Sequence, residues 1–218
     1  MNTTNASQHQ KSMDRVYRFQ RYFYDVTRPL FLPGRNRLLD TMAPGSGDRV
    51  LEVGCGTARN LLYLARKFQD ATYYGVDISE EMLKTAQKNV THSRVKDNIV
   101  LRCEAAENID LQRTFSIDGK FDCVFFSYSL SMIPLWQDAL EIAKSVLKPS
   151  GKLFIVDFQD MQRLPAPAGV CLKKWLSLFH VHPHESMLDE ICRQFPNTQV
   201  VPLWGGYAFM AYTVSLPC

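Results

Sequence analysis

Past residue 48 the apolar positions alternate between two rhythms. Short continuous apolar runs, the mark of strands buried on both faces, alternate with stretches whose apolar residues recur every three or four positions, the mark of helices. The pattern predicts strands at 49–53, 72–76, 99–102, 121–126 and 152–157, with helices at 58–68, 79–90 and 135–147. Ser79 is placed to cap the second of these helices, and the turn Lys148-Pro149-Ser150-Gly151 closes the third. Strand and helix in alternation imply a mostly parallel sheet covered on both faces, an α/β doubly wound fold with its ligand crevice at the carboxyl ends of the strands.

The two flanks read differently. Over residues 14–30 Val16, Phe19, Phe23, Val26 and Leu30 form one seam of an amphipathic helix, with Tyr17, Arg21, Tyr24 and Arg28 beside it. Pro29 and Pro33-Gly34 end or bend that helix, and 35–42 forms a second short one before Pro44-Gly45-Ser46-Gly47. At the other end, residues 165–169 are rich in Pro, Ala and Gly, 172–179 and 184–194 read as helices, and 198–203 with 207–214 read as a hairpin across Trp204-Gly205-Gly206. Two closing antiparallel strands would finish a seven-stranded sheet. The division expected is a disordered tail at 1–12, a helical lid at 13–43 and one domain at 44–218.

Composition narrows the class. In 218 residues with 46% hydrophobic content there is room for one well-buried core and not for two comfortable domains. No apolar run approaches the roughly 18–20 residues of a membrane span, and residues 1–11 lack the apolar centre of a signal peptide, so a cytoplasmic protein is expected. The six cysteines are scattered without paired spacing, which favours reduced thiols and disfavours zinc. The net charge of +3 is unevenly spread: residues 11–40 hold seven basic and three acidic side chains, a local +4 that leaves −1 for the rest. Such a patch suits anionic lipid, nucleic acid or an anionic ligand, and a solvated helix face explains it equally well.

The chemistry concentrates where the first strand meets its helix. Glu52-Val53-Gly54-Cys55-Gly56-Thr57 supplies two glycines that let backbone approach a ligand at a helix N-terminus. A dinucleotide fingerprint would need a third glycine at position 59, which is Arg59, so NAD and FAD are disfavoured. Asp77 stands at the tip of the second strand, where a carboxylate can accept bonds from ribose hydroxyls. Cys55 reads as a small loop filler, since nothing near it in sequence would activate a thiol.

The loop E-x-G-x-G, Asp77 followed by Ile78-Ser79 and Met82, and Phe121-Asp122 entering the fourth strand resemble the class I S-adenosylmethionine-dependent methyltransferases over residues 49–157. The resemblance implies a Rossmann-like methyltransferase sheet with S-adenosylmethionine as cofactor. It sets Gly54 and Gly56 behind the methionine part, Asp77 on the ribose, Ile78 and Met82 against adenine, and Glu104 with Ala105 at the adenine edge. Glu104 departs from the Asp usual there. Tyr17 and Tyr24 would close the pocket as a lid, and Arg28, Glu52, Cys55 and Ser127 complete the candidate cofactor set.

Further strings are similar to the diacylglycerylhomoserine N-methyltransferases of betaine-lipid synthesis. They are Tyr17-Arg18-Phe19-Gln20-Arg21, Tyr24-Asp25-x-Thr27-Arg28 and Gly34-Arg35-x-Arg37-Leu38, then Tyr128-Ser129-Leu130-Ser131-Met132-Ile133, Phe179-His180-Val181-x-Pro183 and Gly206-Tyr207-Ala208. His184 stands where two-gene bacterial systems carry arginine. The similarity implies stepwise methylation of a lipid amine, a partner enzyme that supplies the homoserine lipid, and peripheral contact with the inner face of a membrane. Transfer to an amine needs the neutral nitrogen held close and water excluded. Tyr24, Tyr128 and His180 are the catalytic candidates, with Asp157 a further proton acceptor, and aromatic faces suit a quaternary ammonium.

His180, His182 and His184 alternate, but Pro183 breaks the strand and no acidic or cysteine partner supports them, so no metal is expected. Leu172, Trp175, Leu176 and Phe179 beside Lys173 and Lys174 fit an interfacial helix or equally a face that covers the sheet. Ser127-Tyr128-Ser129-Leu130 at the fourth strand is unlike a nucleic-acid methyltransferase signature, and no nucleic-acid partner is expected. Besides the homoserine lipid, the acceptor alternatives are a phosphatidylethanolamine-type amine and a quinone or other small molecule. A non-catalytic S-adenosylmethionine-binding sensor or partner subunit is the alternative of another class.

Overall fold

The structure is a computed structural model that describes residues 32–159, 184 and 186–214. Its elements in chain order are α1 (Arg35–Met42), β1 (Arg49–Val53), α2 (Arg59–Lys67), β2 (Thr72–Asp77), α3 (Glu80–Thr91), β3 (Ile99–Cys103) and α4 (Leu111–Phe115). There follow β4 (Phe121–Ser127), α5 (Trp136–Val146), β5 (Leu147–Phe158), α6 (Met187–Gln194), β6 (Thr198–Leu203) and β7 (Ala208–Thr213). The expected helix at 14–30, the tail and lid at 1–31, and the segment 160–183 lie outside the described residues.

The seven strands form one sheet in the order β3-β2-β1-β4-β5-β7-β6. Strands β1 to β5 pair in parallel, while β7 runs antiparallel to both β5 and β6. The closing pair is the expected antiparallel hairpin: β6 and β7 oppose each other, and β7 joins the sheet antiparallel to β5. Because chain order reverses between β1 and β4, a crevice opens at their carboxyl ends.

The pleat explains the layers. Leu51 and Val53, Val124 and Phe126, and Leu153 and Ile155 face one side, where Trp136, Leu140 and Ala143 of α5, Phe115 of α4 and Ile191 of α6 cover them. Tyr73, Phe125, Phe154 and Val156 face the other, beneath Leu38 and Leu39 of α1, Leu61 and Leu64 of α2, and Ala86 and Val90 of α3. Burying one large apolar side chain stabilises a fold by about 1.5–3 kcal/mol, so two such faces account for the sheet's cohesion.

Local differences from the sequence reading have physical reasons. Strand β5 begins at Leu147, which pairs with Phe121 ahead of a bulge, so the closing turn lies within a strand rather than between elements. The five-residue helix α4, capped by Asp110 accepting from the Arg113 N–H at 2.8 Å, is too short to display a helical period. Ser79 does cap α3, its hydroxyl accepting from Met82 N–H at 3.3 Å. At the opposite end from the crevice, Asp122 accepts from the backbone N–H of Arg49 at 2.9 Å and from Lys148 Nζ at 2.6 Å.

Candidate active site

The loop after β1 is shaped by left-handed backbone at Gly54 (φ 76°), Gly56 (φ 53°) and Ala58 (φ 60°). Gly54 also permits a close approach: a Cβ there would lie 2.5 Å from Ser129 Cβ. Ser129 follows β4 and donates its hydroxyl to the Val53 carbonyl at 2.6 Å, which locks the two crevice loops together. The N–H groups of Gly54 and Cys55 both donate to Val76 at the end of β2, each at 2.9 Å.

Asp77 is held from both sides. One carboxylate oxygen accepts from Gly56 N–H at 2.8 Å and the other from Ser79 N–H at 2.9 Å. These bonds orient the group without exhausting the roughly four acceptor positions of an ionised carboxylate. Its backbone carbonyl accepts from Glu104 N–H at 3.2 Å, joining the ends of β2 and β3. Ile78, Met82, Glu104 and Ala105 therefore gather around one corner, with Met82 buried and the other three half-buried. Glu104 accepts from Ala105 N–H at 3.2 Å and lies 3.7 Å from Arg113.

Glu52 is buried and accepts from Asn60 Nδ2 at 2.6 Å, which fixes the carboxylate against the first turn of α2. Cys55 is buried beside the chain at Gly75, where a Cβ would come within 2.9 Å of its sulfur. Burial pushes the Cys55 thiol up, with Asp77 and Glu52 adding to the effect, which keeps it protonated.

Ser127 is buried at the end of β4, and Tyr128 beside it adopts a left-handed backbone (φ 55°). The Tyr128 hydroxyl donates to the Pro33 carbonyl at 2.6 Å. Its ring meets Phe158 edge-on at 4.7 Å, and Phe158 meets Tyr207 edge-on at 5.5 Å. Next to this aromatic group, Asp157 is fully buried and accepts from Ser131 N–H at 3.0 Å and from its neighbour Phe158 N–H at 2.7 Å. Burial pushes its carboxyl up to about 6.

The loop fits a nucleoside cofactor with a zwitterionic tail on one further observation. Thr57 Oγ1 is buried and has no hydrogen-bond partner among the described residues, a donor and acceptor held at the start of α2 beside Gly56. From sequence, Thr57 is named only as the end of the glycine loop and Ser129 only within the string 128–133, neither with a role of its own. Thr57 could have been found, since it continues the glycine loop into the helix. Ser129 had no local signal. Tyr17, Tyr24, Arg28 and His180 lie outside the described residues. Among the described residues no group of His, Cys, Asp and Glu could hold a metal ion.

A family model described as a methyltransferase domain matches residues 44–195. The chain belongs to that family. It is a class I methyltransferase domain of the S-adenosylmethionine-dependent kind. Among curated proteins it is 32% identical over 162 residues to the demethylmenaquinone methyltransferase of Lactiplantibacillus plantarum, covering 71% of this chain and 66% of that one. It is 30% identical over 135 residues to the 27-O-demethylrifamycin SV methyltransferase of Amycolatopsis mediterranei, covering 62% of this chain and 46% of that one. The chain thus spans about half to two thirds of the length of these relatives.

Solved structures agree on the fold. An S-adenosylmethionine-dependent methyltransferase from Aquifex aeolicus superposes with a TM-score of 0.65 at 22% identity, over 88% of this chain and 94% of that one. The methyltransferase in complex with the Trm112 activator from Haloferax volcanii gives 0.69 at 14% identity, over 93% and 96%. Within this methyltransferase domain, Gly54, Gly56 and Thr57 follow β1 and Asp77 ends β2, so that the four lie together at the carboxyl ends of these strands.

Proposed function

We propose that this methyltransferase transfers methyl groups to the amine of a diacylglyceryl homoserine lipid, three times in succession, to give the trimethylated betaine lipid. The observation that carries the reading is the convergence built around Tyr128. Its hydroxyl holds Pro33, its ring continues through Phe158 to Tyr207, and Gly34 lies against Leu203. Three of the six strings that resemble the homoserine-lipid enzymes, Gly34 to Leu38, Tyr128 to Ile133 and Gly206 to Ala208, lie far apart in sequence and within the described residues. They meet at the carboxyl ends of β4, β5 and β6, beside the crevice.

The chemistry supports an amine. S-adenosylmethionine supplies an electrophilic methyl group, and the neutral amine nitrogen takes it as the sulfonium bond breaks; the first two transfers each release one proton to solvent, and the third leaves a permanent ammonium charge with no proton to lose. No strong base is needed when the acceptor enters neutral. That accords with a thiol kept neutral by burial at Cys55 and a carboxyl at Asp157 engaged by two backbone N–H groups. The aromatic surface of Tyr128, Phe158 and Tyr207 suits a product whose positive charge becomes permanent. Tyr24 and His180 stand in the proposal as acceptor-side residues contributed by the flanks, and Tyr17 and Arg28 as parts of a lid over the cofactor.

A second reading has its own support: relatives named as demethylmenaquinone and ubiquinone/menaquinone biosynthesis methyltransferases favour a quinone or other small aromatic acceptor. The deciding experiment is S-adenosylhomocysteine release by the purified full chain, given diacylglyceryl homoserine, phosphatidylethanolamine or demethylmenaquinone in separate detergent mixtures, with products read by mass. Stepwise gains of one, two and three methyls on the homoserine lipid are expected. Turnover confined to the quinone sinks the lipid reading and keeps the enzyme class. Tight cofactor binding without turnover on any acceptor would instead assign a sensor or partner-subunit role.

A further inference from the structure

Strand β5 ends in Leu153-Phe154-Ile155-Val156-Asp157-Phe158, and all six of these residues are buried. One of them carries a carboxyl group. An ionised group taken out of water is costly unless it is hydrogen-bonded, so an Asp kept inside an apolar run marks a position that packing alone did not choose. Burial pushes this carboxyl up to about 6, and hydrogen bonds from Ser131, Phe158 and Leu130 offset part of the rise. Above that value it is an ionised group that only accepts.

Two of those donors, Ser131 and Leu130, belong to the segment that follows β4. Asp157 Oδ2 accepts from Ser131 N–H at 3.0 Å, across 26 positions of chain. Ser131 is the middle residue of the single turn Leu130–Met132, and Met132 N–H ties that turn to the Ser129 carbonyl at 3.1 Å. Ser129 then reaches β1: its hydroxyl donates to the Val53 carbonyl at 2.6 Å, and its Cβ stands where a side chain at Gly54 would have to go. Tyr128, just ahead of the turn, has an anchor of its own, since its N–H donates to the Val156 carbonyl at 2.7 Å. The carboxylate of β5 therefore bears on residues 129–132, and these bear on the glycine loop after β1.

We infer that Asp157 is a positioning residue for the cofactor: through the Ser131 N–H it holds the turn after β4, so that Ser129 keeps the Gly54 loop in the shape that receives S-adenosylmethionine. This rests on the reading of residues 52–57 as the cofactor loop and extends it to a group two strands away. Asn at position 157 offers one oxygen to two N–H donors and sets its own N–H against the other, so one bond is lost. The cofactor must then order the loop as it binds, and that cost is read as lost affinity.

The test is calorimetric titration of the purified full chain with S-adenosylmethionine at about pH 8, where the carboxylate is ionised, beside thermal melts. Asp157→Asn and Ser129→Ala should each bind about tenfold more weakly, and the double variant about as weakly as either single rather than about a hundredfold, because one relay is cut in both. With the acceptor that turns over in the assay above, KM for S-adenosylmethionine should rise by a like factor while kcat at saturating cofactor stays within about twofold. Asp122→Asn is the control. Asp122 accepts the Arg49 N–H at the far end of the sheet, so its loss should lower the melting midpoint and leave cofactor affinity unchanged. Wild-type affinity in Asp157→Asn, additive losses in the double variant, or an equal loss of affinity in Asp122→Asn overturns the inference. A fall in kcat with KM unchanged overturns it as well, since Asp157 would then act as a proton acceptor. If Asp157→Asn does not fold, Asp157→Ala, which removes the buried carboxyl altogether, replaces it in the same cycle. Failure of the cofactor-loop reading is seen separately, as wild-type affinity in both Ser129→Ala and Thr57→Val, and the inference falls with it.

Discussion

Tyr128 and Pro33, 95 positions apart, are joined by a 2.6 Å hydrogen bond from phenol to carbonyl in a buried setting, and this bond fixes where the N-terminal flank meets the crevice. Replacing Tyr128 by Phe keeps the ring contact with Phe158 and strands the Pro33 carbonyl. A loss of about 1–3 kcal/mol is expected, and each kcal/mol lowers the melting midpoint of a domain this size by roughly 2–4 °C. Thermal melts compared with steady-state kinetics separate two roles. A lower midpoint with turnover retained at low temperature marks a tether, whereas an unchanged midpoint with turnover lost marks a group acting in the chemistry.

Thr57 offers the reverse test. Its hydroxyl is buried without a hydrogen-bond partner among the described residues, so the protein bears its desolvation with nothing in return until a ligand arrives. Thr57→Val should leave the ligand-free protein as stable or up to about 1 kcal/mol more stable while weakening S-adenosylmethionine binding by about tenfold, near 1.4 kcal/mol. Calorimetric titration beside a thermal melt measures both. Undiminished cofactor affinity in the variant removes Thr57 from the site.

The packing under the cofactor loop predicts a coupling. A Cβ at Gly75 would lie 2.7 Å from Leu61 Cδ1 and 2.9 Å from Cys55 Sγ, so Gly75→Ala forces helix α2 and the loop away from the sheet. Overpacking of this kind costs about 1–3 kcal/mol. Cys55→Ala removes one of the obstructing atoms, so the double variant should be more stable than the two single losses sum to, by at least about 0.5 kcal/mol. Urea midpoints of the four proteins complete the cycle, and strict additivity would show that Leu61 and Leu101, whose Cδ2 would lie 2.9 Å from the added Cβ, carry the clash without Cys55.

Asp157 predicts a pH dependence. Burial raises its carboxyl from 3.8 to about 6 in the folded protein, so the folded state keeps a proton that the unfolded chain releases. Its contribution is fully present below the unfolded value near 3.8 and is lost as pH rises through about 6. On the order of 3 kcal/mol is at stake over that window, given 1.36 kcal/mol for each pH unit. The difference in unfolding free energy between wild type and Asp157→Asn should therefore shift against wild type from pH 4 to pH 7. A difference that stays flat would show that Asp157 does not titrate in this range.

Much of this site was legible in the chain because its signals are local. The glycine loop of residues 52–57, Asp77 at a strand tip and Ser79 as a cap follow from short-range rules on backbone freedom and helix ends, and each stands in the structure where those rules place it. Strand and helix periods fixed the alternation that makes the sheet, because a side-chain repeat of two or of 3.6 is set by neighbouring residues. Only the tertiary structure decided that Ser129 seals Gly54, that Tyr128 holds Pro33, that the Thr57 hydroxyl has no hydrogen-bond partner among the described residues and that β6 runs with the sheet while β7 runs against it. Those outcomes depend on register and approach between residues separated by tens of positions, where chain connectivity and packing choose the partner and no local pattern records the choice.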